Sequence, residues 1–178
     1  MTTANTAAGD SMVSNQQGFT LLELIVILMI MGVLIAVGML SYQGIQQRSD
    51  LDQKVKQMYA ELMNTRIRAM QRSRDHFVSL PSGSNTYRVY EDGPAPDGDG
   101  SFNAAVDTLL SMKKIDPYTL VLSTPTLTLV QFNSKGLVTG TTGWVRINTT
   151  VVGEYDCIFI DQIKTGMGKI NGANCVIK

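Results

Sequence analysis

The chain has 178 residues, 44% of them hydrophobic and 17% charged, and its fifteen basic residues balance fifteen acidic ones. That length holds one domain with room for an appendage, and the composition excludes a disordered, collagen-like or disulfide-dense chain. Zero net charge disfavours a nucleic-acid binder that works by bulk charge, and two cysteines with one histidine leave almost nothing for a metal cage.

Residues Met1 to Gly18 are polar and small, with Asp10 as their one charge. Phe19 to Leu40 then reads FTLLELIVILMIMGVLIAVGML, 22 residues in which only Thr20 and Glu23 are strongly polar. As a helix this block would be ~33 Å long, enough to cross a bilayer core of ~30 Å. A buried globular helix would carry a polar stripe, which this block lacks. A cleavable secretory signal has an apolar region of ~7–15 residues behind a basic segment; this block is longer and has no Lys or Arg before it. Glu23 is the anomaly. A carboxylate inside a span costs a few kcal/mol on insertion scales, so it needs a cation from another chain, a nearby amine or the headgroup region.

Gly18-Phe19-Thr20-Leu21-Leu22-Glu23-Leu24 resembles the G-F-T-L-x-E-x signature of type IV prepilins and pseudopilins. The resemblance implies a membrane peptidase, the prepilin peptidase, that cuts after Gly18 and methylates the new amino terminus of Phe19. It also implies an assembly role for Glu23, whose carboxylate would neutralise the Phe19 amine of a neighbouring subunit or its own. The implied partners are that peptidase, other pilin or pseudopilin subunits along the N-terminal helix, and the inner membrane. The implied organisation is a leader over 1–18, a transmembrane and filament-core helix over 19–42, an amphipathic continuation over 43–76 and a β-rich head over 77–178. A start at Met12 would give the seven-residue leader MVSNQQG. Charge alone points the other way for topology: Arg48, Lys54 and Lys56 follow the span and no basic residue precedes it, which places the C-terminal side in the cytoplasm. The signature and the cysteine pair discussed below place the head in the periplasm instead.

Past the span, Leu51, Val55, Met58, Leu62 and Ala69 recur at helical spacings, with Met63, Ile67 and Met70 widening the stripe. Asp50, Asp52, Lys54, Lys56, Glu61, Arg66, Arg68, Arg72 and Arg74 lie among them. The pattern predicts an amphipathic helix whose apolar face needs a partner. One helix from about Phe19 to about Ser73 would be ~80 Å long, which suits a membrane stalk carrying a head. The basic run Arg66, Arg68, Arg72 and Arg74 reads as a solvated face near a helix C-terminus, where cations suit the macrodipole.

From Phe77 the helical period gives way to short β-like runs at 86–90, 120–122, 127–132, 143–152 and 155–160, with a hairpin turn at Asn133–Gly136. Residues 104–114 read as a short second helix. The fold class is therefore α+β, a long N-terminal helix packed on a mainly antiparallel sheet. The segment 91–100, EDGPAPDGDG, reads as an exposed turn. Asp97 and Asp99 resemble the opening of a calcium loop, but an EF-hand needs glycine at position six and glutamate at twelve, and Phe102 and Thr108 stand there. Cys157 and Cys175 have neither zinc nor CxxC spacing. In an oxidising periplasm they would form one disulfide; in a reducing compartment they would be two buried thiols.

Two further patterns resemble the GspH/FimT group of minor pilins and pseudopilins: the turn Phe132-Asn133-Ser134-Lys135-Gly136-Leu137-Val138, and the Gly-basic stretch Ile163 to Ile170. The group implies a pilus-priming minor pilin or a type II secretion tip subunit. Some relatives bind DNA through basic C-terminal residues; the candidates here are Lys164, Lys169 and Lys178, with no arginine after Arg146. Gly166-Met167-Gly168-Lys169 looks like half a phosphate loop, but Ile163 and Ile170 occupy the positions a Walker A motif needs as Gly and Ser/Thr, so it reads as a tight turn. No catalytic motif is present and no cofactor is implied, so the expectation is a filament subunit and not an enzyme. The competing readings are a DNA-binding minor pilin and a membrane-anchored periplasmic binding domain.

Overall fold

A computed structural model describes residues 18–93 and 98–178. The expected leader, apart from its last residue Gly18, and the Met12 start lie outside the described residues, as does Asp97. The chain divides into two compact units, Met1–Tyr42 and Gln43–Lys178. One helix, α1 (Leu21–Arg72), contributes to both.

In the first unit, α1 presents large apolar side chains on every side, from Leu21 to Met39, and all are exposed. In the second unit the pattern becomes a stripe. Leu51, Val55, Met58, Leu62 and Ala69 are all buried. Thr65 fills the gap between Leu62 and Ala69. It is fully buried, and its hydroxyl donates to the Glu61 carbonyl at 2.7 Å, so the polar group enters the core satisfied. Ile67 and Met70, expected to widen the stripe, are largely exposed.

Helix α1 stops at Arg72. Ser73 takes φ 52° and the Arg74 N–H bonds back to the Ala69 carbonyl at 3.3 Å. This is a Schellman closure with serine in the place glycine usually takes. The first strand begins at His76, and the helix end at Arg72 lies one residue from the expected end at about Ser73.

Among the described residues ten strands follow: β1 His76–Ser79, β2 Thr86–Glu91, β3 Thr108–Lys114, β4 Thr119–Leu122, β5 Leu129–Phe132, β6 Val138–Thr139, β7 Gly143–Asn148, β8 Cys157–Ile160, β9 Thr165–Asn171 and β10 Asn174–Ile177. They form two five-stranded antiparallel sheets, ordered β3-β2-β1-β5-β6 and β10-β9-β8-β7-β4. Two sets of hydrogen bonds tie the sheets together. The Val138 N–H reaches the Gln162 carbonyl at 2.9 Å, and Leu120 exchanges bonds with Gly83 and Ser84.

Both sheets lay one face on the helix. Val78, Val89, Val130 and Phe132 of the first sheet, and Leu120, Val145, Ile147, Ile158 and Ile160 of the second, share one core with the α1 stripe. Alternate residues face outward on the first sheet, where Phe77 and Tyr90 are covered by Phe102, with ring centroids 5.5 and 5.1 Å away. A second anchor is Asp52, whose Oδ1 accepts the N–H groups of Glu154 and Tyr155 at 2.8 and 3.0 Å. The expected 143–152 strand ends early, at Asn148, and the loop that follows it meets the helix at this contact.

Three expectations need correction. Residues 108–114 are not helical but strand β3, because the open edge of β2 captures them; a bulge at Val89/Tyr90 absorbs the irregular register. The run Gly166–Lys169 is not a turn but part of β9. The described part of 91–100 is not simply an exposed turn. Glu91, Asp92 and Gly93 are buried, and Asp92 Oδ2 accepts the Gly100 N–H at 3.1 Å while Asp107 holds Gly93 and Asn103.

Candidate functional site

The residues that carried the resemblance sit at the start of α1. Gly18, Phe19 and Thr20 are non-helical, and the helix opens at Leu21. Thr20 is the N-cap. Its carbonyl accepts the Leu24 N–H at 3.2 Å, the first helical rung, and its hydroxyl accepts the Glu23 N–H at 3.2 Å. Thr20-x-x-Glu23 thus has the residue types of a capping box, with the Thr20 half formed. Glu23 stands in the first turn, where a carboxylate suits the positive end of the helix dipole. The T-x-x-E spacing is the signal that could have pointed to this local role; the sequence reading of Glu23 rests instead on its place in the motif and in an apolar run.

Phe19 is 79% exposed, and Gly18 has open space around it. Behind them, an 18-residue window of α1 reaches a mean hydropathy of 2.9 with none of it buried, so the helix is long and apolar enough to cross a membrane. Water is a poor solvent for such a surface: each fully exposed Leu, Ile or Met forgoes ~1.5–3 kcal/mol of burial. The geometry combines an open dipeptide, a capped helix start with one carboxylate, and an apolar surface that requires lipid or other apolar helices.

Cys157 and Cys175 are joined in a disulfide. Cys157 is on β8 and Cys175 on β10, with β9 pairing between them. The bridge reaches across because β10 leans over Gly168. A Cβ there would lie 2.2 Å from the Val176 carbonyl oxygen and 3.1 Å from Cys175 Sγ. Gly168, one of the two glycines that looked like half a phosphate loop, is therefore a glycine for close approach, while Gly166 faces the Ile177 side chain.

The lysine candidates lie on and beside β9. Lys169 pairs with Val176, and the Lys178 N–H bonds Met167, so these two share neighbouring strands. Lys164 precedes β9 at its other end, ~16 Å along the strand from Lys169 at ~3.3 Å per residue. Each end carries an acid: Asp161 bonds main chain to main chain with Lys164, and Asp156 Oδ1 accepts the Ile170 N–H at 2.8 Å. Of the basic run on α1, Arg66 donates to the Ile163 carbonyl at 3.1 Å and Arg72 pairs with Glu91, so both fasten the helix to the sheets.

Asp99 Oδ1 accepts the Ser101 N–H at 2.7 Å, an Asx turn. Among the described residues no group of three His, Cys, Asp or Glu side chains is placed to hold a metal ion. His76 is buried, with Nδ1 3.1 Å from the Arg74 carbonyl. Two phenols are perturbed. Burial, reinforced by the Glu61 carboxylate, pushes Tyr87 well above the usual tyrosine range. Burial and the Asp50 carboxylate push Tyr118 up.

Residues 13–39 match the prokaryotic N-terminal methylation motif. The match encloses Gly18, Phe19, Thr20 and Glu23 together with most of the apolar run, and it supports a type IV pilin-like protein. No curated protein and no solved structure matches the chain.

Proposed function

We propose that this chain is a minor pilin or pseudopilin, a structural subunit of a type IV pilus or a type II secretion pseudopilus that acts in filament initiation or at the tip. Prepilin peptidase removes residues 1–18 and methylates the Phe19 amine. Residues 19–42 cross the inner membrane once and later form the filament core. The stripe on the remainder of α1 carries the β-rich head, which lies in the periplasm. The observation that carries this reading is the methylation motif seated on an unburied apolar helix, with Glu23 in its first turn. The Cys157–Cys175 disulfide supports the oxidising compartment. The turn at Asn133–Gly136, with Asn133 Oδ1 accepting the Lys135 and Leu137 N–H groups at 3.0 Å and Gly136 at φ 72°, supports the GspH/FimT group.

Glu23 supplies the assembly chemistry. A lone carboxylate in hydrocarbon is costly, and pairing it with the amine of a neighbouring Phe19 lowers that cost. A subunit entering at the wrong register would leave both charges unpaired. Intact mass of the membrane-extracted chain, with and without prepilin peptidase, tests the reading: a peptidase-dependent product beginning at methylated Phe19 is expected. Glu23→Ala should still insert in the membrane but enter filaments at least tenfold less, scored by shearing and immunoblotting. Normal incorporation would remove the pairing role.

A further inference from the structure

Thr20 sits where two uses of one N–H compete. In a helix extended by two residues, the Glu23 N–H would bond the Phe19 carbonyl and the Leu22 N–H the Gly18 carbonyl. In this chain the Glu23 N–H is taken by Thr20 Oγ1 at 3.2 Å, and the first main-chain rung is Leu24 to Thr20. Gly18 and Phe19 therefore stay outside the helix. The pressure to extend is strong, because the following residues are apolar and an unpaired amide in lipid is costly. Gly18 opposes extension through its backbone freedom, but that preference acts one residue beyond Phe19 and does not by itself withhold the Glu23 N–H.

Hydrolysis of a peptide bond requires the carbonyl carbon to be open to a nucleophile and its oxygen to be open to the donors that stabilise the oxyanion. A Gly18 carbonyl already accepting a helical N–H, inside a closed turn, offers neither. We propose that Thr20 is a positioning residue for processing: its hydroxyl ends the helix two residues short of the Gly18–Phe19 bond and keeps that bond in a form the peptidase can engage. The inference rests on the reading that the chain is cut after Gly18. Thr20 touches no reacting atom; it acts through the backbone it caps.

The test uses the full chain in lipid nanodiscs with prepilin peptidase and follows the initial rate at which the product beginning at Phe19 appears. Thr20→Val keeps the shape and removes the cap. Thr20→Ser and Thr20→Asn keep a capping oxygen on different side chains. Valine should slow cleavage about fivefold, the effect of one lost N-cap, while serine and asparagine stay within about twofold of the native rate. Amide hydrogen exchange at Leu22 and Glu23 supplies the second readout: both amides should become more protected in the valine variant as the helix runs through Phe19. Cleavage of Thr20→Val at the native rate would overturn the inference. So would slow cleavage with unchanged protection, or equal slowing by valine, serine and asparagine, since either outcome means the peptidase reads the side chain itself. A native chain not cut after Gly18 would instead bring down the processing reading, and this inference with it.

Discussion

The two halves of α1 are built from the same secondary structure and have opposite fates. Between Leu21 and Met39 every large apolar residue is exposed, Leu28 at 59% and Ile35 at 66% among them. Between Leu51 and Ala69 the apolar residues of the stripe fall to 1% or less. Helicity does not distinguish them; the residues between the apolar ones do. In the second half Asp52, Lys54, Lys56 and Glu61 confine the apolar surface to one side, and two sheets cover that side. In the first half nothing confines it, so no single sheet could cover it. The solvent for the first half must itself be apolar, first lipid and then, on the proposed function, the helices of other subunits.

The comparison can be broken most directly by truncating one residue in each half. Leu62→Ala removes a fully buried side chain from the shared core and should cost about 2–5 kcal/mol of head stability. Ile27→Ala, in the exposed half, should leave head stability unchanged. Denaturant unfolding of the full chain in detergent micelles reads both, using the fluorescence of Trp144, the only tryptophan, which lies on β7. Equal destabilisation by the two variants would mean that the halves are not energetically separate.

A covalent feature sharpens the same contrast. The stripe needs a closed second sheet to lie against, and Cys157–Cys175, 18 residues apart in sequence, pins the last strand of that sheet. Loop-closure arithmetic gives about 3 kcal/mol for such a bridge. Cys175→Ser should lower the unfolding free energy by about that amount, and partition of the chain into micelles should not change. Urea titrations with and without reductant check it: reductant should erase the difference between the native chain and the variant.

Much of this was legible in the sequence where periodicity was strong. The five stripe positions from Leu51 to Ala69 are all buried, as their spacing required. The turn at Asn133–Gly136 was legible because Asn and Gly meet its geometric demands directly. Thr65 was passed over because hydroxyl residues count as polar, although a threonine in a helix can satisfy itself on the preceding turn. Strand β3 was misread because its leucine, methionine and lysines suit a helix, and only the tertiary edge of β2 decides otherwise. Strand β9 reads as a turn because its glycines look like turn residues; Gly168 answers to a disulfide crossing, which local sequence does not announce. The helix end was legible to within one residue from the loss of the helical period, although Ser73 and not a glycine takes the left-handed position. At the candidate site, Gly18, Phe19 and Glu23 were visible as a motif, while the capping bond of Thr20 became visible only with the hydrogen bonds in place.

The smallest expected effect lies in the titration of the buried half. Tyr87 is 1% exposed and lies under the influence of Glu61, from the second half of α1. Burial first, and then that carboxylate, raise the phenol above its unfolded value of about 10. A group with a raised folded pKa holds its proton more tightly when folded. Its contribution to stability is complete below about pH 10 and is lost as the pH rises beyond that value. The native head should therefore weaken progressively above about pH 10. Tyr87→Phe cannot ionise and should flatten that alkaline slope while changing stability near pH 7 by less than about 1 kcal/mol. Unfolding curves at neutral and alkaline pH, again read at Trp144, separate the outcomes. A slope unaltered in Tyr87→Phe would assign the alkaline weakening to other groups and would mean that Tyr87 ionises as readily folded as unfolded. The first half of α1 should contribute nothing to the slope, so Ile27→Ala should superimpose on the native chain at every pH.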